Sequence, residues 1–275
     1  MFSLLAEMFS YAFLTRAVIV GLLVSLCAAL LGVSLVLKRY SMIGAGLSNV
    51  GFGALAVAAA FNAAPLMISI PVVVLAAFLL LRLNERSRIK GDAAIALIST
   101  SALAIGVAVV SATTGMNTDV CNYMFGSILA MSQSDVRLSI ALASGVFLLF
   151  ILFYRQIFAV TFDEAFARAT GVNASLYNSL LAVLTAVTIA LGMRMMGALL
   201  ISSLIIFPAL TAMRLCKQFR TVAVCSAIIS VAGFLSGIIC SYAYATPTGA
   251  SVVIANILLF LLFWAAGLAR ERGFF

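Results

Sequence analysis

Arg16-Ala-Val-Ile-Val-Gly-Leu-Leu-Val-Ser-Leu-Cys-Ala-Ala-Leu-Leu-Gly-Val-Ser-Leu-Val-Leu-Lys38 decides the fold class. From 17 to 37 no side chain is charged, and a cation closes the run at each end. An α-helix rises about 1.5 Å per residue, so about 20 such residues cross the hydrocarbon core of a bilayer. A helix satisfies its backbone N–H and C=O groups internally, which is the condition for crossing lipid. The stretch reads as a transmembrane helix.

Working outward, similar runs recur near 42–60, 65–83, 93–114, 136–154, 175–192, 196–212, 221–243 and 250–268, with short polar or turn-rich breaks between them. The composition agrees. Of 275 residues, 65% are apolar and 9% charged, against about 25% charged in an ordinary soluble domain. Mean hydropathy is +1.26. These residues cannot build a polar shell, and they are far too apolar for a disordered chain. Five scattered cysteines without a CxxC exclude a secreted disulfide scaffold. Histidine is absent, which removes the commonest transition-metal ligand and the usual proton shuttle. The expected fold is an all-α, polytopic helical bundle of about nine spans, with 1–275 as a single transmembrane domain. The first ten residues hold no Lys or Arg, so no cleaved signal peptide is expected.

Charge orients the bundle. The net charge of +8 would suggest a nucleic-acid partner in a soluble protein. Here the cations lie between apolar runs, as expected of cytoplasmic loops, and no nucleic-acid partner is expected. Lys38 and Arg39 follow the first run, Arg82, Arg86, Arg88 and Lys90 the third, and Arg155 and Arg168 the fifth. Arg214, Lys217 and Arg220 follow the seventh, and Arg270 and Arg272 the ninth. All these loops are cytoplasmic provided that 115–135 does not cross. That segment, TGMNTD, a short apolar run and then SQSD, is expected to be re-entrant or partly inserted, and lined by protein. The N-terminus then lies outside and the C-terminus inside.

The longest non-apolar loop, 155–173, is cytoplasmic by the same rule. Thr161, followed by Asp163 and Glu164, supplies a cap and two carboxylates for a helix start, and Gly171 suits its stop. Phe162, Phe166 and Ala169 are spaced to share one face. On pattern alone the segment is either a solvated connector or a helix lying on the lipid surface, or else a knob that plugs into a soluble partner.

Phe162-Asp-Glu-Ala-Phe-Ala-Arg-Ala-Thr-Gly-Val172 resembles the cytoplasmic coupling segment of the zinc/manganese/iron ABC importer permeases, the ABC-3 family. The likeness continues in family order. It runs through Leu37-Lys-Arg-Tyr-Ser-Met-Ile-Gly44, Gly91-Asp-Ala-Ala-Ile95, Tyr123-Met-Phe-Gly-Ser-Ile-Leu-Ala130, Ser132-Gln-Ser-Asp135, Arg194-Met-Met-Gly-Ala-Leu-Leu200 to Pro208-Ala209, and Pro247-Thr-Gly-Ala250. It covers roughly residues 15–268. The resemblance implies a multi-pass permease of the prokaryotic inner (cytoplasmic) membrane that pairs with a second copy of itself. It also implies an ABC ATPase subunit dimer, which carries ATP and magnesium, and an extracytoplasmic substrate-binding protein. The coupling residues it implies are Phe162, Asp163, Glu164, Phe166, Arg168 and Gly171. The chain's three lysines, at 38, 90 and 217, all lack a preceding glycine, so no GxxxxGK[ST] phosphate loop exists. The chain is not expected to be an enzyme or to bind a cofactor; any hydrolysis belongs to a partner.

The departures from the family pattern concern the cargo. Where the family usually reads IGDALSH, this chain reads Ile43-Gly-Ala-Gly-Leu-Ser-Asn49, with Ala45 for the Asp and Asn49 for the His. Ala245 stands where the family often carries an Asp, two residues before the Pro-Thr-Gly turn. A bare divalent ion exchanges its water shell for protein oxygens or nitrogens, and alanine supplies none. The remaining candidates for the path are Ser48, Asn49, Asp119, Asn122, Tyr242 and Tyr244, and the side chains supply no metal site. Asp119 reads equally as an N-cap. Cys121 and Met124, with Met116 and Met131 nearby, are soft ligands or ordinary packing. Arg194 reads as an interfacial anchor or as a partner for an anion, and Gly233-xxx-Gly237 as a helix-packing motif. Three functions stay open: import of a divalent metal, import of a chelated metal or small organic solute on the same architecture, and a non-transport intramembrane protein.

Overall fold

The computed structural model describes residues 12–61, 63–86, 91–113 and 133–271. In chain order the helices are α1 (Ala12–Leu37), α2 (Ile43–Ala60), α3 (Pro65–Arg86), α4 (Gly91–Thr113) and α5 (Gln133–Leu152). Two short helices follow, α6 (Tyr154–Phe162) and α7 (Glu164–Ala169). Then come α8 (Ala174–Met196), α9 (Ala198–Leu215), α10 (Phe219–Tyr244) and α11 (Thr248–Glu271). Among the described residues there is no strand, and nine helices are long and apolar enough to cross a membrane. They fall on the nine runs read from the sequence.

Helix α1 is the axis of the bundle and packs against α5, α8, α9 and α10, while α2 packs against α3, α4, α8 and α9. Lipid tails are as apolar as Leu, so close backbone approach and interhelical hydrogen bonds must hold such a bundle together. Both are present. A Cβ on Gly32 would lie 2.0 Å from the Ile205 carbonyl oxygen, and one on Gly237 would lie 2.3 Å from the Val252 Cα. The Gly233-xxx-Gly237 motif is thus a packing seam between α10 and α11. Ser226 and Ser230 donate to the carbonyls of Ala29 (3.3 Å) and Ser25 (3.0 Å), joining α10 to α1 in antiparallel register.

The same contacts fix which ends lie together. Gly46 faces Ile95, Asn49 bonds Ser99, and Gly53 faces the Ala102 carbonyl, so α2 and α4 run parallel. Lys38, just before α2, bonds Asn178 near the start of α8. Asp135, at the start of α5, bonds Arg194 at the far end of α8. Thr113 and Gln133 therefore lie at the same end of the bundle, opposite Lys38. This is the condition set by the charge pattern. The segment 114–132 itself, with Met116, Asp119, Cys121, Asn122, Met124 and Met131, lies outside the described residues.

Gly197 joins α8 to α9 as the single residue between them, at φ 84 and ψ 160. That region is open essentially to glycine alone. It lets two spans reverse direction without a loop.

Candidate functional site

At the end of the bundle that holds Lys38 the chain bends at Asp163. Its backbone is extended (φ −146, ψ 97), and its carboxylate accepts the Phe166 N–H at 2.9 Å. Asp163 is therefore the N-cap of α7. Thr161, expected as the cap, instead donates to the Ile157 carbonyl at 2.6 Å. The reason is that 154–162 is already helical, which leaves the hydroxyl inside α6. Glu164 follows in the first turn, where a carboxylate complements the helix dipole. Gly171 ends the segment at φ 85, and its N–H reaches the Arg168 carbonyl at 3.1 Å. The expected shared face of Phe162, Phe166 and Ala169 is also corrected. Phe162 is the last residue of α6, Phe166 lies on α7, and Ala167 turns into the small core with Val160 and Ala174.

An aromatic surface results. Phe162 is 59% exposed and Phe166 63%, and Phe158 is also exposed. The Phe158 and Phe162 rings lie 4.9 Å apart, with Phe219 of α10 at 5.1 Å from Phe158 and 5.9 Å from Phe162. Exposed Arg155, Arg168 and Arg220 belong to the same end. Exposed aromatics beside several exposed cations are the composition of a binding surface.

The same end carries a polar chain. Arg168 donates to Glu164 Oε1 at 2.5 Å, and Asn178 Nδ2 donates to Glu164 Oε2 at 3.3 Å. Lys38 Nζ donates to Asn178 Oδ1. Burial alone would raise the Glu164 pKa. The bonds from Arg168 and Asn178 and the charges of Lys38 and Arg168 outweigh it and hold the carboxyl below its ordinary value. The interaction therefore persists at neutral pH and is lost only as pH falls through that lowered value.

The path candidates fall elsewhere. Ser48 is 1% exposed. It donates to the Gly44 carbonyl (2.7 Å) and lies 3.3 Å from the Ser202 hydroxyl on α9. Half-buried Asn49 donates to Ser99 Oγ at 2.7 Å. Both polar groups join helices. Tyr242 and Tyr244 are exposed near the C-terminal end of α10, and Ala245 is its C-cap at φ 49, ψ 38. Helix α10 packs chiefly on α1, α9 and α11. Asn49 lies in the first half of α2, counted from the Lys38 end, whereas Tyr244 ends α10 at the opposite end of the bundle. Among the described residues no group of three or more His, Cys, Asp or Glu is placed to hold a metal ion.

Arg194 is neither a bare anchor nor a free cation. It meets Asp135 at 2.8 Å, each about one-fifth exposed. Sequence reasoning missed this pair and the Lys38–Asn178 link, because their partners lie 59 and 140 residues apart. It also missed Phe158, although the i, i+4 spacing to Phe162 was a usable signal once α6 is drawn as a helix.

The family model of the ABC 3 transport family, ABC-3, matches residues 10–267. The chain is 30% identical to the high-affinity zinc uptake system membrane protein ZnuB of Haemophilus influenzae, over 92% of this chain and 97% of that one. It is 27% identical to the manganese transport system membrane protein MntC of Halalkalibacterium halodurans, over 93% and 88%. The solved structure of PsaBC from Streptococcus pneumoniae in complex with Fab superposes with a TM-score of 0.85 at 26% identity, covering 95% of this chain and 94% of that one.

Proposed function

The chain belongs to the ABC 3 transport family, and on that premise we propose that it is the membrane-spanning subunit of an ATP-driven importer of manganese, zinc or iron. Two copies form the path in a bacterial cytoplasmic membrane. An ATPase subunit docks on the Phe158–Phe162–Phe166 surface of each, and an extracytoplasmic protein delivers the cargo. Access alternates as the two copies rock against each other.

The observation that carries this reading is the exposed aromatic surface at the end of the bundle that also holds Lys38, Arg155, Arg168 and Arg220. In solvent such a patch is costly unless a partner covers it. The relatives' names supply the cargo class. ZnuB is named for zinc and MntC for manganese.

Within that class, Ala45 and Ala245 offer no ligand, and Asn49 is already bonded to Ser99. At those three positions no side chain is a carboxylate, and a dehydrated divalent ion held there would meet a large desolvation cost. We therefore read the cargo as a metal that crosses hydrated or chelated. The test is uptake by cells that lack their own importers and express the chain with its ATPase and binding protein. Labelled manganese, zinc and iron are each supplied free and as a soluble chelate. Uptake of none of them would sink the reading. Uptake of the free ion alone, unslowed by restoring carboxylates to the path, would confine it to a bare ion.

A further inference from the structure

We infer that Lys38, Asn178, Glu164 and Arg168 form a relay that makes α7 and the α1–α2 turn move as one body. Motion at the docking surface is thereby passed to the helix that carries Asn49. The inference rests on the docking reading above and adds its route into the membrane.

Helix α7 has six residues, too few to be stable alone. Its apolar hold, through Val160, Ala167 and Ala174, is local to the segment. Glu164 is what reaches further, because one carboxylate oxygen takes Arg168 from its own helix and the other takes Asn178 from α8. Asn178 is buried and uses both ends of its amide, donating to Glu164 and accepting from Lys38. An amide can do both at once; a carboxylate or a hydrocarbon cannot. Two charged ends and a neutral, two-sided centre thus join three elements.

Lys38 has a rigid seat. The Arg39 N–H bonds the Val36 carbonyl at 3.0 Å, and the Tyr40 N–H bonds the Leu35 carbonyl at 2.8 Å. Arg39 has φ 62. This is a Schellman turn with Arg39 at its left-handed position. Ile43 N–H then returns to the Tyr40 carbonyl at 3.0 Å as α2 begins. A pull on Lys38 has no slack loop to absorb it. The start of α2 is itself close-packed, with Gly44 on Ile205 and Gly46 on Ile95. A displacement therefore reaches α4 and α9 through contacts rather than through a flexible linker. Spatial continuity alone does not establish coupling, so the relay needs a functional test.

The test uses the assembled transporter in proteoliposomes, with Lys38→Met and Asn178→Leu. The ATPase subunit should still co-purify and basal hydrolysis should remain, while stimulation by loaded binding protein and uptake both fall about tenfold. Lys38→Arg, which keeps a cationic donor, should recover most of both; a merely structural loss would lower co-purification as well. Full stimulated uptake in Lys38→Met, with the ATPase docked, overturns the relay. Loss of the docking reading is a separate outcome, seen as unimpaired co-purification in Phe166→Asp. A second measurement needs no folded relay variant. Spin labels at Met42→Cys and Ala165→Cys should keep their separation between resting and ATP-bound states. A change of more than about 2 Å, the scale of a helix shift, overturns the inference.

Discussion

The two ends of the proposed transport route are built differently. At the end that holds Lys38 the chain carries charge and aromatic area together, with Glu164 bridging Arg168 and Asn178 and with Phe158, Phe162 and Phe166 exposed. In the bundle, the positions that resemble the family's ligand sites are Ala45, Asn49 and Ala245, and Asn49 and Ser48 tie helix to helix. A binding surface for a protein must be stable and specific. A transport path must release what it binds.

The largest effect is expected where that contrast is sharpest. Phe166 is exposed and supports no core, so Phe166→Asp should leave thermal stability within about 0.5 kcal/mol. In the complex it should weaken ATPase docking by about 2–3 kcal/mol, roughly a hundredfold. Co-purification and uptake measure it. Normal uptake would break the comparison by removing function from the cytoplasmic end.

The next effect probes the other half. Ala45→Asp with Asn49→His should narrow and charge the path, lowering uptake of a hydrated or chelated metal about tenfold. Raised uptake of the free ion would reverse the reading of the neutral wall. The pair also asks how the two halves communicate, because Asn49 bonds Ser99 on a helix parallel to its own.

How much of this was legible in the sequence follows from the physics of each feature. The nine spans were, because crossing lipid demands a long unbroken apolar run and nothing else in the chain looks like one. The return of the 114–132 flanks to one end was legible too, since the loop cations admit few arrangements. The bend at Asp163 was not. Thr161 and Asp163 are both good caps, and only the helicity of Tyr154–Phe162 decides between them. Long-range polar pairs were invisible for a different reason. Arg194 needs one carboxylate, and nothing local says that Asp135 supplies it.

That pair gives the third prediction. Asp135→Asn leaves a mostly buried guanidinium without its charge partner, at the end of the bundle opposite Lys38. The loss should be about 1–2 kcal/mol, between the values for exposed and for fully buried pairs. Thermal unfolding in detergent measures it. Exchanging the two residues, Asp135→Arg with Arg194→Asp, should recover part of the loss. No recovery would mean that Arg194 is held by its surroundings and not by the ion pair.

The smallest effect concerns Ala245, at the end of the bundle opposite the aromatic surface. Its backbone is left-handed, φ 49 and ψ 38, at the C-cap of α10. Ser241 holds that turn by donating to the Thr246 carbonyl at 2.6 Å, and Thr246 and Ser251 share a hydrogen bond of 2.7 Å. An L-residue with a Cβ is strained there by about 1–2 kcal/mol, while Gly is not, and Asn and Asp are tolerated through local hydrogen bonds. Alanine therefore occupies a conformation that suits the Asp implied by the resemblance better than it suits alanine. Ala245→Gly should raise stability by about 1 kcal/mol, less the entropy that glycine adds to the unfolded chain. Ala245→Asp should be nearly neutral for stability while adding a carboxylate at the outer end of α10. If both variants are destabilised, the turn is shaped by its neighbours and retains nothing of an acidic residue. If Ala245→Gly stabilises and Ala245→Asp is tolerated, the backbone here fits the acidic residue that the resemblance implies better than it fits alanine.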